Sequence, residues 1–132
     1  MTEHAFPVPL LDLLGFVRML EPQGDWCCME YEAREAHTHS SGTTVQGGIL
    51  TAWMDHAMAR AVVARDPNAM VSSLEIKTTF MSRVGPGTHL VRAAAAKWGR
   101  QVAFLEAQVC GANGRVLASA TSTGLLSANR VD

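Results

Sequence analysis

Residues 47–65, GGILTAWMDHAMARAVVAR, have fewer structural options than any other part of this chain. Two glycines open the run, and Asp66-Pro67-Asn68 closes it. Proline disfavours helix in the residue before it. The spacing therefore predicts one helix from Gly47 to Arg65, about 28 Å long. Apolar side chains recur on almost every face of it, and a helix of that kind has to be enclosed. One carboxylate, Asp55, stands inside. A buried carboxylate is costly unless it is paired, hydrogen-bonded or put to use. Amides left open at a helix start receive an anion or an oxyanion. Gly47 and Gly48 are thus candidates for an oxyanion site, and Asp55 for an acid or base.

The rest of the chain has to wrap that helix. At 132 residues and 48% apolar content, it suffices for one domain, residues 1–132, with its own core. Residues 25–35 read as a strand, with Cys27, Met29 and Tyr31 on one side and Trp26, Cys28, Glu30 and Glu32 on the other. Residues 36–46 are small and polar and read as a loop. After the helix come four strand-like runs, 70–81, 88–97, 101–110 and 115–126. Gly85-Pro86-Gly87, Gly99-Arg100 and Asn113-Gly114 separate them, the last being a strong hairpin signal. Short connections predict an antiparallel meander. Leu10, Leu11, Leu13, Leu14 and Phe16 predict a short helix within residues 9–20 of an N-terminal extension, 1–24. The expected fold class is α+β, a long central helix wrapped by a curved antiparallel sheet of five or six strands.

Several function classes fall away. The net charge is −1 and no basic stripe is visible, which argues against nucleic acid. No run is long enough to span a bilayer, and the N-terminus lacks the basic start of a signal peptide. Three cysteines, two of them adjacent (Cys27 and Cys28), read as free thiols in a reducing compartment, so the expected location is cytoplasmic. His37-Thr38-His39 falls short of the three or four convergent ligands of a zinc site, and no metal is expected. His56 points about 100° away from Asp55 around the helix. With no GxSxG elbow either, a serine triad is not expected.

The Gln46-Gly47-Gly48 segment, the acid eight positions after Gly47 and the element order resemble the hot-dog fold. More narrowly, the chain resembles acyl-CoA thioesterases of the phenylacetate-degradation type over residues 25–127. The strand Ser72-Ser73-Leu74-Glu75-Ile76-Lys77-Thr78-Thr79-Phe80-Met81 is similar too, as are Trp98-Gly99-Arg100 and Asn113-Gly114-Arg115-Val116-Leu117-Ala118. Members typically carry His-Gly-Gly before the helix. Gln46 stands here in place of that histidine, and Ser40 in place of an asparagine that helps hold substrate or water. A glutamine amide donates a hydrogen bond but does not titrate.

The resemblance implies hydrolysis of an acyl-CoA to a free acid and coenzyme A. Coenzyme A is then part of the substrate, and no cofactor is required. Asp55 attacks the thioester carbonyl or activates a water; Gly47, with Gln46, polarises the carbonyl. The bland alternative has Asp55 capping a loop or pairing with Arg60 or His56. The resemblance also places Ser73 beside the acid or its water, whereas strict alternation puts Ser73 with Glu75 and Lys77, and Ser72 with Leu74, Ile76 and Phe80. Ser40, Gly48, Arg83 and Arg100 are the expected substrate contacts, the arginines for the phosphates of coenzyme A. Lys97 and Arg115 read as solvated charges. Trp53, Met54 and Met58 read as core. Two other readings keep the fold. One is hydration or dehydration of an acyl thioester by Asp55 with His37 or His39, although the His-Phe-Pro-type stretch of dehydratases is absent. The other is an acyl-CoA-binding module without catalysis.

Geometry adds an expectation about assembly. Gly47 and Asp55 are separated by about 12 Å of helix rise. A reacting carbonyl must lie about 3 Å from both the oxyanion donors and the acid or its water. One helix does not present both to one carbonyl; two antiparallel helices related by a two-fold axis do. The expectation is a homodimer with Gly47 from one chain and Asp55 from the other. The small faces Ala93-Ala94-Ala95-Ala96 and Ala118-Ser119-Ala120 suit a dimer of dimers, a homotetramer, or simply close core packing.

Overall fold

The computed structural model describes residues 8–128. In chain order the elements are α1 (Val8–Leu14), β1 (Phe16–Gln23), β2 (Trp26–Ala33), a 3₁₀ turn (Glu35–His37), β3 (Thr38–His39), β4 (Thr44–Val45), α2 (Gly47–Arg65), β5 (Ala69–Phe80), β6 (Gly87–Trp98), β7 (Val102–Cys110) and β8 (Val116–Ala128). Six strands form one antiparallel sheet in the order β1-β2-β6-β7-β8-β5, and β3 and β4 form a separate hairpin.

The sheet curls around α2. Trp53, Met54, Ala57 and Val62 are fully enclosed, against Met29, Tyr31, Val91, Ala93, Leu105, Ala107, Val109 and Ala120. Each of the large side chains contributes about 1.5–3 kcal/mol by leaving water. The alanines in the middle of the sheet allow the bulky helix to lie close to it. Ala93, Ala118 and Ala120 point into this core, whereas Ala96 is exposed. The helix has the predicted bounds. Gln46 caps its start, its side-chain oxygen accepting from the Ile49 amide at 3.2 Å, and Asp66 caps its end.

Two expectations are corrected. The N-terminal helix stops at Leu14, and residues 16–23 are a strand paired with β2. Gly15 makes the break: its φ is +86°, and a Cβ there would lie 2.2 Å from the Glu32 carbonyl oxygen. That backbone suits glycine, and Phe16-Val17 beyond it favours a strand. The four strands after the helix are not a meander either. β6, β7 and β8 are consecutive hairpins, but β5 pairs with β8 on the far side and never with β6. Three strand spacings, about 14 Å, separate β5 from β6. The Gly85-Pro86-Gly87 segment is therefore part of a crossing. That crossing runs past the start of α2, where the Val45 amide donates to the Val84 carbonyl at 2.8 Å and Arg83 donates to the Thr43 carbonyl at 3.0 Å. As a result β5 is an edge strand. The expected loop 36–46 contains the 3₁₀ turn and the β3–β4 hairpin.

Candidate active site

Gly47, Thr51 and Asp55 recur every fourth residue, so they share one flank of α2. That flank faces β5, with three contacts in antiparallel sequence. The Phe80 ring lies over Gly47, where a Cβ would come within 2.8 Å of it. Thr51 and Thr78 share a hydrogen bond between their hydroxyls at 3.0 Å. The Ser73 hydroxyl donates to the Asp55 carboxylate at 2.9 Å. Because β5 is the last strand of the sheet, this flank opens at a rim. Asp55 is half-buried and Ser73 exposed, which corrects the expectation of a fully enclosed carboxylate.

Strict alternation failed to place Ser73 beside Asp55 because β5 carries a bulge. Ser73 pairs with Gly124 and Glu75 with Thr123, so Leu74 has no partner on β8. One extra residue reverses the parity of everything beyond it. Val71 and Ser73 face inward on one side of the bulge, and Ile76, Thr78 and Phe80 on the other.

At the helix start, the Gly47 and Gly48 amides have no acceptor within the helix, since its first turn offers none. Neither glycine is required by backbone angle; close approach requires both. Phe80 crowds Gly47, and a Cβ on Gly48 would lie 2.7 Å from the Gln46 side-chain oxygen. Gln46 spends that oxygen on the Ile49 cap. Its NH₂ group is the part suited to donate to a substrate. Ser40 sits in the β3–β4 turn at φ +51°, the left-handed region that asparagine tolerates better than serine. Its hydroxyl lies 3.2 Å from the His39 ring.

The remaining candidates disperse. Arg83 is held beside the β3–β4 hairpin, near the start of α2. Arg100 lies at the other end of the helix, lining a cavity with Asp66, Asn68 and Trp98. His37 is a structural pin: its Nδ1 accepts from the Arg34 amide at 2.9 Å, and its Nε2–H donates to the Leu13 carbonyl at 2.8 Å. Neither ring nitrogen is left for a metal or a proton relay. His56 points into the core and bonds Tyr31 through Nδ1. Burial pushes the Tyr31 phenol and the Cys27, Cys28 and Cys110 thiols above their ordinary pKa ranges. Thiols kept protonated are poor nucleophiles, and Asp55 is the one carboxylate that α2 carries. Thr51, Thr78 and Phe80 complete the flank and were not singled out from sequence. The fourfold spacing of Gly47, Thr51 and Asp55 was the signal for Thr51; nothing local marked Thr78 or Phe80.

The family described as the thioesterase superfamily matches residues 42–118, from the β3–β4 turn into β8. Comparison with curated proteins finds no match. Among solved structures, a phenylacetic acid degradation-related protein from Ralstonia eutropha is 27% identical, with a TM-score of 0.79 over 91% of this chain and 92% of its own. A mutant of the phenylacetic acid degradation protein PaaI from Thermus thermophilus is 25% identical, with a TM-score of 0.75 over 89% of this chain and 97% of its own. A protein from Streptococcus mutans bound to acetyl CoA is 15% identical, with a TM-score of 0.76 over 88% and 91%; that likeness speaks for the fold alone. The profile covers more than half of the chain, including the capped helix start, Asp55 and Ser73. The chain belongs to the thioesterase superfamily.

Proposed function

We propose that the protein is an acyl-CoA thioesterase. The observation that carries this reading is the Ser73–Asp55 hydrogen bond on the same helix flank as the Gly47 amide. Superfamily membership supports a thioesterase-type activity, and a protein of the same fold holds acetyl CoA.

In the proposed reaction, the Asp55 carboxylate takes a proton from a water as that water attacks the thioester carbonyl. The Gly47 amide of a second copy, aided by the Gln46 NH₂, stabilises the resulting oxyanion. Collapse breaks the carbon–sulfur bond, and the thiolate leaves as coenzyme A with the proton returned from Asp55. Direct attack by Asp55 through an anhydride, opened by water, gives the same products. The homodimer is part of the proposal. Gly47 and Asp55 lie eight residues apart on one flank, and that flank opens at an unpaired strand edge bearing exposed Leu74, Phe80 and Met81. An exposed apolar edge of this kind is normally covered. A further pairing of dimers is proposed through the outer face of the sheet. Ser40, Gly48, Arg83 and Arg100 are proposed to contact substrate, Arg100 only where coenzyme A extends toward the far end of a helix. Among the described residues, no helix is long and apolar enough to cross a membrane. Three free cysteines fit a reducing compartment such as the cytoplasm.

A panel of acyl-CoAs with thiol release read by a chromogenic reagent tests the reading. Turnover is expected with at least one acyl class, and Asp55→Asn is expected to abolish it. Full turnover by Asp55→Asn removes the residue from the mechanism. Tight binding without turnover replaces the enzyme by an acyl-CoA-binding module. Sedimentation at nanomolar concentration tests the dimer, which an active monomer would overturn.

A further inference from the structure

The bulge in β5 decides what Asp55 meets. On β8 the inward positions alternate without a break: Ala118, Ala120, Ser122, Gly124, Leu126. On β5 the inward set is Phe80, Thr78 and Ile76, after which the count slips by one to Ser73 and Val71. Were the alternation continued from Phe80, Leu74 and Ser72 would face the helix and Ser73 would point away. The single unpaired residue thus replaces an isobutyl group beside the carboxylate with a hydroxyl.

A bulge disrupts the ladder and leaves backbone groups to be satisfied. Here two side chains do this, and both act at Glu75. The Thr123 amide donates to the Glu75 carboxylate at 2.7 Å. The Ser122 hydroxyl, on a side chain only 3% exposed, donates to the Glu75 backbone carbonyl at 2.7 Å. A carboxylate accepting from an amide is a charge-assisted hydrogen bond. Opposite Ser73 stands Gly124, where a Cβ would lie 2.4 Å from the Val71 side chain. Glu75 is exposed and lies on the edge strand. In the fold its side chain replaces a missing rung of the sheet.

We infer that Glu75 is a positioning residue for Asp55: its carboxylate holds the Leu74 bulge that turns Ser73, and not Leu74, toward the catalytic acid. The kinetic consequence rests on the proposed role of Asp55; the geometric statement does not. Glu75 touches neither substrate nor Asp55, so its effect has to pass through Ser73.

The test compares Ser73→Ala, Glu75→Ala, Glu75→Gln and the double variant Ser73→Ala/Glu75→Ala, by kinetics and by crystallography. Losing one hydrogen bond to the carboxylate is expected to lower kcat about tenfold in Ser73→Ala. Glu75→Ala should match it, with KM changed by no more than about twofold, because neither residue binds substrate. The double variant should be no slower than either single, the mark of two residues acting through one path. Glu75→Gln, whose amide oxygen still accepts from Thr123, should restore the rate. The Glu75→Ala crystal structure should show Ser73 turned away from Asp55. Additive losses, or a Glu75→Ala structure with the bulge and the Ser73–Asp55 bond intact, would overturn the inference. Should Glu75→Ala fail to fold, Glu75→Asp, one methylene shorter, is expected to show the same loss, and full activity there would count against the inference. If Asp55→Asn keeps its rate, the proposed function fails, and the crystal structures alone then decide whether Glu75 sets the orientation of Ser73.

Discussion

The two flanks of α2 are built from the same helix and have different surroundings. Toward β2, Tyr31, Trp53 and His56 are fully enclosed. Trp53 stacks on Tyr31 with ring centroids 4.9 Å apart, and its indole N–H donates to the Leu14 carbonyl at 2.7 Å. His56 bonds Tyr31 and meets the edge of Phe16. Toward β5, the contacts are hydroxyl to carboxylate, hydroxyl to hydroxyl and ring to glycine, and they lie at the open edge of the sheet. Asp55 and His56 are adjacent in sequence, and the strand each one faces separates their roles. His56, facing β2, is locked into the core, whereas Asp55, facing the edge strand β5, is half-buried at the rim.

The largest effects should come from exchanging losses between the flanks. Asp55→Asn is expected to lower kcat/KM by about 10²–10⁴-fold while leaving the denaturant midpoint almost unchanged. Trp53→Ala should do the reverse in kind, costing about 3–5 kcal/mol of stability, a large share of what a domain of this size possesses. Activity assays and urea melts on both variants check the pair. An Asp55→Asn protein as unstable as Trp53→Ala would mean that the β5 flank is core after all.

Gln46 offers a finer division, since one side chain has both a structural and a chemical end. Gln46→Glu keeps an oxygen for the Ile49 amide and places a negative charge at a helix start, where it is favoured. It removes the NH₂ donor. Stability should hold or rise slightly, while turnover falls about tenfold for one lost oxyanion contact. Gln46→Ala should lose both, with about 1 kcal/mol of stability. Equal turnover in wild type and Gln46→Glu would restrict Gln46 to its cap. Gly47→Ala is expected to cost a similar amount of stability, about 1 kcal/mol, the low end for overpacking, because the Phe80 ring crowding it is 54% exposed and can swing aside. Adding Phe80→Ala should recover that stability, as thermal melts would show.

This contrast also explains what the sequence could reveal. The helix, its bounds and the glycine–acid spacing were legible because Pro67, the paired glycines and the apolar run are local signals. The strand β2 and its two sides were legible because Cys27, Met29 and Tyr31 alternate without a bulge against β6. The place of Ser73 beside Asp55 was legible through the resemblance and not from strand parity: its direction depends on Glu75, Ser122 and Gly124, two of them on a strand far along the chain. Sheet order was hidden for a related reason. The segment around Gly85-Pro86-Gly87 has turn chemistry, and turn chemistry does not say which strand lies alongside. β1 was missed because the leucine stripe of α1 runs on toward Phe16, and only the +86° backbone of Gly15 interrupts it.

The smallest expected effect concerns the closed flank at alkaline pH. Burial raises the Tyr31 pKa far above its ordinary 10.0, opposed by Arg60 and reinforced by Asp55. The folded protein therefore keeps the phenol protonated where the unfolded chain has lost the proton. Below about pH 10 both states hold it and Tyr31 adds no slope. Above about pH 10 the unfolded state binds one proton fewer, so stability falls by about 1.4 kcal/mol per pH unit on this account. Cys28 and Cys110, also raised by burial, add a slope from about pH 9, and the wild type and Tyr31→Phe share it. The difference between these two proteins in urea melts from about pH 8 to about pH 11 isolates the phenol. Tyr31→Phe should be less stable at the lower end, for loss of the bond to His56, and should close part of that gap as pH rises beyond about 10. A gap that stays constant would mean that the phenol ionises in place, with water reaching a flank whose packing leaves no route for it.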